Sequence, residues 1–428
     1  MPAGLERLLG MCLFDSLKTK LLVLAIYYSD MKRVFSHEMI SARLIDFTIA
    51  VTLGAIIVLR LQSGIFRIPP DPGYYMFDDA RHAPFWKIFS YNAWEGYISV
   101  IPRITATFTV PFPLTQTALI ASLVTTTIWV LTGLGVFHIV LQETKNRVLS
   151  LMACLMVALV PSASESSVGN FGNTKWQLFI LTAVICASPQ FFLRFNRLSI
   201  FVIFISGLSN PLNLLAAIPL MAYLLINKNS RNKNSVALAI TSLLAFAIQI
   251  TAFQLSGASG VRSDIVRWKW GVFPIFWDFN FVFPALLALV VVVISIIEFR
   301  REVEIYLPPV SLAVTSFCVW LISYLQGGLA DRYFVAPTVI SWVALILAFA
   351  NRGSRIPSLH KLVFGGTTCL MIVASVVWFP ASSYLRSGPS WNDDVIRARK
   401  ICLETTSLEQ EVNLSIGSTS VRCSDLSG

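Results

Sequence analysis

The sequence predicts an all-α fold, a polytopic helical membrane protein with about eleven transmembrane helices. Three observations lead there. Of its 428 residues, 55% are hydrophobic and only 13% charged, with mean hydropathy +0.70. A soluble chain of average composition carries roughly 25% charged residues. Apolar runs of about 15 to 22 residues punctuate the chain, long enough for a hydrocarbon core roughly 30 Å thick. Basic residues come in twos and threes between those runs: Lys145 and Arg147, Arg194 and Arg197, Lys228, Arg231 and Lys233, Arg300 and Arg301, then Arg352, Arg355 and Lys361. A soluble enzyme, a disordered chain and a secreted disulfide scaffold are excluded. The net charge of +10 is spaced as the positive-inside rule spaces it, so no nucleic-acid partner is implied.

Hydropathy places the spans at 44–61, 114–141, 148–161, 176–193, 198–208, 211–226, 235–255, 278–297, 305–325, 334–350 and 362–379. With the basic clusters on the cytoplasmic face, the N-terminus is cytoplasmic and the C-terminus lies outside. Arg67, Arg81, Lys87 and Arg103 in the first outer loop oppose this count, as do Arg262, Arg267 and Lys269, but long loops translocate largely regardless of charge. Residues 1–43 form a cytoplasmic or interfacial segment. Its apolar stretch Leu8–Tyr28 is interrupted by Asp15, Lys18 and Lys20 and reads as an interfacial amphipathic helix. Met31-Lys32-Arg33 is a natural start, no cleavable signal peptide is visible, and the first thirty residues are assigned no function. Residues 44–379 form the transmembrane domain and 380–428 an outer-face tail. Spans 198–208 and 211–226 are short and meet at Gly207-Leu208-Ser209-Asn210-Pro211. They read either as a half-depth hairpin lining a cavity or as two tilted spans joined by a tight turn.

Chemistry is sought in the outer segments 62–113, 162–175, 256–277 and 326–333. The first mixes aromatic rings with single charges, which suits short helices lying in the interface. It carries Asp78-Asp79 beside Arg81 and His82, and later Pro102-Arg103. The acidic pair is a metal site, a general base with a partner, or a helix cap or solvated turn; Arg103 either snorkels or pairs with a phosphate. The second segment, Pro161 to Trp176, is rich in hydroxyl and amide groups and suits a hydroxyl-rich ligand, or else is a polar connector. Arg332-Tyr333 at the outer end of a span is an interfacial anchor or a phosphate contact. His138 and Gln249, polar residues within apolar spans, read as satisfied buried side chains.

Cys12, Cys154, Cys186, Cys318 and Cys369 lie in apolar sequence and read as packing residues. Cys402 and Cys423 lie in polar sequence; with the tail outside, they are expected to form a disulfide. No Cys/His spacing suggests a metal, and no cofactor is implied.

A long first outer loop with an early acidic residue, interfacial helices, short helices in mid-chain and a late Arg332-Tyr333 together resemble the GT-C class of membrane glycosyltransferases. Gly96 followed by Tyr97-Ile98-Ser99-Val100-Ile101-Pro102-Arg103, then Glu165, Asn170, Asn173 and Trp176, then Ser209-Asn210-Pro211, is similar to a group of bacterial polytopic proteins assigned to that class. Ser390-Trp391 with Cys402 resembles their tail. The likeness covers most of 44–405.

The resemblance implies an enzyme of the bacterial inner membrane with a polyprenyl-phosphate-linked sugar as donor and an outer-face glycan or polymer as acceptor. By the same resemblance Asp79 or Asp78 is the base, and Arg332 and Arg103 hold phosphate. Glu165, Asn170, Asn173 and Lys175 contact sugar or phosphate, with Tyr333 beside them. Some members pair Asp with Glu where this chain has Asp78-Asp79, so either aspartate can be the base. No metal is required. The rival reading, a lipid-linked-sugar flippase or transporter, predicts internal repeats and mid-membrane charges; neither is evident. A non-catalytic subunit of an envelope-glycan assembly system is the third reading.

Overall fold

The structure is a computed structural model that describes residues 37–68, 75–91, 96–164, 168–188, 191, 194–226, 233–256, 279–299, 303–325, 331–350, 357–380, 389–405, 407–413 and 418–426. The expected interfacial helix Leu8–Tyr28 lies outside them. The chain divides into two compact units, Met1–Thr52 and Leu53–Gly428. What is described of the first is the start of helix α1 (His37–Leu61). There Thr48 and Thr52 donate their hydroxyls to the carbonyls of Leu44 and Thr48, each at 2.8 Å. Polar side chains on an apolar helix are thus satisfied within it.

The second unit is a helical bundle. Two short helices in the loop that follows α1, α2 (Tyr75–His82) and α3 (Val100–Thr107), precede α4 (Thr117–Thr144), α5 (Arg147–Leu159) and α6 (Thr174–Ala187). Then come α7 (Asn196–Gly207), α8 (Asn213–Ala216), α9 (Ile218–Ile226) and α10 (Lys233–Leu255). The last part of the bundle is α11 (Phe279–Phe299), α12 (Val303–Leu325), α13 (Val335–Ala350) and α14 (Pro357–Val377). Each expected apolar run carries helix. Three segments are long and apolar enough to cross a membrane, Arg43–Phe66, Leu114–Thr144 and Val236–Leu255. Only 39% of the most apolar window of α4 is buried, and 28% of that of α10. Leu131, Leu243 and Leu244 are among the side chains pointing outward. Such faces suit lipid, since soluble monomers seldom leave broad apolar patches to water.

Helix α13 is the hub. Val335 to Ala348 are buried on every side, and the helix packs on α11, α12, α6 and α5. Its small polar groups bridge helices: Ser341 donates to Ser316 Oγ at 2.7 Å, and Ser316 donates to the Pro337 carbonyl at 2.7 Å. Hydroxyls close to helix backbones are characteristic of packing where lipid offers no hydrogen bonds. The 198–226 region resolves into α7 followed by two short pieces. Helices α8 and α9 span roughly 20 Å even end to end at 1.5 Å per residue, short of a full crossing. At the turn, a Cβ on Gly207 would meet Ala245 Cβ at 2.4 Å, so glycine lets α7 and α10 touch there.

Arg60, in the last turn of α1, is fully buried. It donates to the carbonyls of Ala158 (2.6 Å) and Val160 (3.1 Å) at the end of α5. It also donates to those of Phe379 (2.9 Å) and Trp378 (3.4 Å) just after α14. The last carbonyls of a helix lack intrahelical partners, and one guanidinium serves two such ends.

The tail departs from the expected all-α fold. After α15 (Trp391–Glu404), capped by Ser390 Oγ accepting from Asp393 N, come antiparallel strands β1 (Glu409–Asn413) and β2 (Ser418–Arg422), then α16 (Cys423–Leu426). Val412 and Val421 are buried beneath the hairpin, while its other residues are polar. Single valines in Ser/Glu-rich strands leave too weak an alternation for hydropathy to register. Nor is the tail an appendage with little core of its own: Trp391, Val395 and Leu426 share a core with Met76, Phe77 and Ala118. Trp391 Nε1 donates to the Leu114 carbonyl at 2.8 Å, and Cys402 is joined to Cys423 by a disulfide.

Two outcomes follow from this packing. Arg60→Gln should lower the thermal unfolding midpoint in detergent, at a cost of about 2–4 kcal/mol for the orphaned carbonyls. Cys402 and Cys423 should resist thiol labelling in untreated cells and label only after reduction, with a stability loss of about 3 kcal/mol. Free thiols at both positions would place the tail in a reducing compartment.

Candidate functional site

The site is built on α2. Its apolar residues Met76 and Phe77 face the core, and Phe77 packs on Phe171 with ring centroids 4.6 Å apart. Successive residues of a helix diverge by about 100°, so Asp78 and Asp79 point to different neighbours. That divergence separates their roles.

Asp79 points toward α3. Its Oδ2 accepts from Arg103 Nη1 at 2.8 Å, and Arg103 is only 4% exposed. The snorkelling reading of Arg103 fails on that burial; Tyr75 stacks near the guanidinium at 6.0 Å. Asp79 and Arg103 line one cavity of about 230 Å³ together with Lys87, Phe85, Ile88 and Thr107. A carboxylate, a guanidinium and an ammonium on the wall of one small cavity can bind an anionic or hydroxylated group.

Asp78 turns to the tail. Its Oδ1 lies 3.1 Å from Nδ1 of His82, one turn later, and Nε2 of His82 lies 2.9 Å from Asp425 Oδ1. Arg422 Nη2 approaches Asp78 Oδ2 at 3.4 Å. Asp78, His82 and Asp425 bring ligand-type atoms within 4.8 Å of one another. Among the described residues they pair with each other and with Arg422, an arrangement that clips α16 to α2. Arg81 donates to the carbonyl of Phe112 at 3.2 Å and more weakly to Thr109 and Thr117. It ties α2 to the start of α4.

Helix α3 is held from outside itself. Ser99 makes no side-chain cap. The free N–H groups of Val100 and Ile101 donate instead to the Leu208 carbonyl (3.3 Å) and Ser209 Oγ (3.1 Å). The turn Ser209-Asn210-Pro211 therefore caps a helix a hundred residues away in sequence. Gln249 finishes the clamp. Its Oε1 accepts from Ile98 N at 2.9 Å, and its Nε2 donates to the carbonyls of Ile98 (3.0 Å) and Gly207 (2.9 Å).

The 162–175 segment folds against α3. Gly169 adopts φ +73°, and a Cβ there would sit 2.5 Å from Leu61, so the turn requires glycine. Asn170 Oδ1 accepts from Gly172 N at 2.9 Å, leaving its buried Nδ2 without an acceptor among the described residues. Trp176 Nε1, Asn210 Nδ2 and Arg103 Nε are buried in the same condition. Asn173 is buried at the start of α6. Lys175, also buried, is hydrogen-bonded to the Tyr97 hydroxyl. Tyr333, in the single turn Asp331–Phe334 before α13, meets Trp176 edge-on at 6.1 Å. The side chain of Arg332, all of Glu165 and the loop 257–277 lie outside the described residues.

Sequence reasoning did not single out Lys87, Asp425 or Arg422 as site residues, and it met Tyr97 only within the Gly96–Arg103 motif. Lys87 carried a signal, a lone charge in an aromatic run. Asp425 and Arg422 carried none, because only the hairpin brings them to Asp78. His138 is exposed, not buried, and lines a separate cavity.

No family model and no curated protein matches the sequence. Among solved structures, the fold is similar to the apo form of the Archaeoglobus fulgidus oligosaccharyltransferase, at 13% identity and TM-score 0.48. That likeness covers 84% of this chain and 58% of the other, so this chain spans less than two thirds of its length.

Replacing Gln249 with Leu removes three buried hydrogen bonds at once. Hydrogen exchange at the Ile98 amide should quicken, and stability should fall by about 2–4 kcal/mol. Protection of Ile98 equal to that of the parent would refute the clamp.

Proposed function

We propose that this chain is a membrane glycosyltransferase that moves a sugar from a polyprenyl-phosphate carrier to a glycan or other acceptor on the outer face of the membrane. The observation that carries the reading is the Asp79–Arg103 pair on one cavity wall, in the loop where the resemblance to the GT-C class puts the base. Within that reading the base is Asp79 and not Asp78, whose oxygens face His82 and Arg422. Arg103 holds Oδ2 of Asp79 and leaves Oδ1 to receive the proton of the acceptor hydroxyl. That oxygen attacks the anomeric carbon as the bond from this carbon to the phosphate oxygen breaks. The electron pair leaves with the polyprenyl phosphate.

The leaving phosphate needs cations more as it departs, which is where fixed charges accelerate a reaction. Arg332 is assigned to it, with Lys87 as a second cation on the cavity wall. Asn170, Asn173, Glu165 and Lys175 are assigned to sugar or phosphate, supported by the unspent Nδ2 of Asn170. Tyr333 would act through Trp176, fixing that ring beside Lys175. A cavity of about 230 Å³ suits one small headgroup and not an extended oligosaccharide.

Membrane vesicles supplied with labelled polyprenyl-phosphate sugars test the reading. Asp79→Asn should cut transfer by about 10²–10⁴-fold at normal expression, as loss of a general base does. Asp78→Asn should cost much less. Full transfer by Asp79→Asn would sink the assignment, and no transfer by the parent chain with any polyprenyl-phosphate sugar would sink the function.

A further inference from the structure

A second cavity, of about 700 Å³, opens at the other end of α4 from Thr117 and Arg81. The 28 residues of α4 put the two ends roughly 42 Å apart at 1.5 Å per residue. A bilayer crossed by α4, which belongs to one of the segments able to cross one, would put the two cavities at opposite faces. The second one is lined by Lys145, Arg147, Arg194 and His138, with Phe191 and Leu198 among its apolar groups. Among the described residues, no acidic side chain lines it.

The local backbone fixes this concentration of charge. Lys145 ends α4 in the left-handed region at φ 54°, and its N–H donates to the Leu141 carbonyl. Asn146 caps α5 by accepting from Val148 N and Leu149 N, at 3.0 and 3.2 Å. With only that one residue between them, Lys145 and Arg147 are held on adjoining helix ends. Arg147 occupies the first turn of α5, where the helix dipole disfavours a cation. Arg194 joins them from the connection between α6 and α7, its guanidinium 5.2 Å from the Phe195 ring. Three cations gathered here, one of them (Arg147) against its helix dipole, with no carboxylate among the described lining residues, suit an anion. The neighbouring phenylalanine and leucine suit a hydrocarbon chain. A free inorganic anion would use only the first half of that surface.

We propose that this cavity binds an anionic phospholipid of the leaflet at this face, its phosphate held by Lys145, Arg147 and Arg194 and its acyl chain laid along Phe191 and Leu198. The site is separate from the Asp79 cavity and stands whether or not the chain transfers sugar. Its volume lies within the roughly 300–1,000 Å³ of ordinary ligand sites.

The test uses the full chain, purified in detergent and stripped of lipid, with thermal unfolding as readout. Phosphatidylglycerol should raise the midpoint, whereas phosphatidylcholine and inorganic phosphate should not. Lys145→Gln and Arg194→Gln should each weaken the phosphatidylglycerol response about fivefold, the effect of one basic charge at an anionic membrane surface. Arg197→Gln, exposed and off the cavity wall, should leave it unchanged. An equal response to phosphatidylcholine would reduce the site to an apolar groove. An equal response to phosphate would make it a simple anion site. Equal losses in all three variants would show surface potential instead of a built site. Any of these overturns the proposal, and the lipid comparison on the unmodified chain decides it even where a variant fails to fold.

Discussion

The ion pair between Asp79 and Arg103 organises the end of the bundle that carries α2 and α3. A guanidinium taken almost wholly out of water is costly unless it is paired and hydrogen-bonded, so α3 can pack inward only where α2 presents Asp79. From that pair the constraint passes both ways. Through α2 it reaches His82, Asp425 and Arg422, and so the disulfide-closed tail. Through α3 it reaches the Ser209 cap and the Gln249 clamp, and so α7 and α10. Two eight-residue helices that would be marginal alone are thereby fixed between the bundle and the tail.

The helices were legible because an apolar run has one hydrogen-bonding solution in a bilayer. Each expected run carries helix, and even the break near Pro211 is visible in sequence. Whether a run crosses fully is less legible, as α8 and α9 show, because length is divided by tight turns that hydropathy averages over. The site was half legible. Asp78, Asp79 and Arg103 stood out as charges among rings, but nothing in sequence says which aspartate meets Arg103, since that depends on the rotation of α2. The tail offers hydropathy little beyond polar sequence around Cys402 and Cys423. Its hairpin escaped because two valines carry its buried face, and its partners lie more than three hundred residues away.

Polar residues inside apolar sequence are commonly taken as functional pointers. Here most of them have structural employment. Arg60 serves four carbonyls, Gln249 serves three backbone groups, and Ser316 with Ser341 stitches α12 to α13. His138 reads differently, standing exposed beside Lys145 in a cavity of its own. Intramembrane polarity by itself therefore does not locate chemistry in this chain; a polar group draws attention once its hydrogen bonds have been traced and some remain.

By that criterion the end that carries α2 and α3 differs from the rest of the bundle. Among the described residues, Asn170 Nδ2, Asn210 Nδ2 and Trp176 Nε1 on segments around α3, and Arg103 Nε on α3 itself, are buried donors without an acceptor. Buried donors left unpaired each cost about 1–3 kcal/mol, and the cost recurs four times in one neighbourhood. Serine hydroxyls in the bundle that share this condition can rotate toward a carbonyl; a fixed indole or amide N–H cannot. A region that concentrates fixed donors beside a carboxylate and two cations offers more hydrogen-bond donors than its own packing uses.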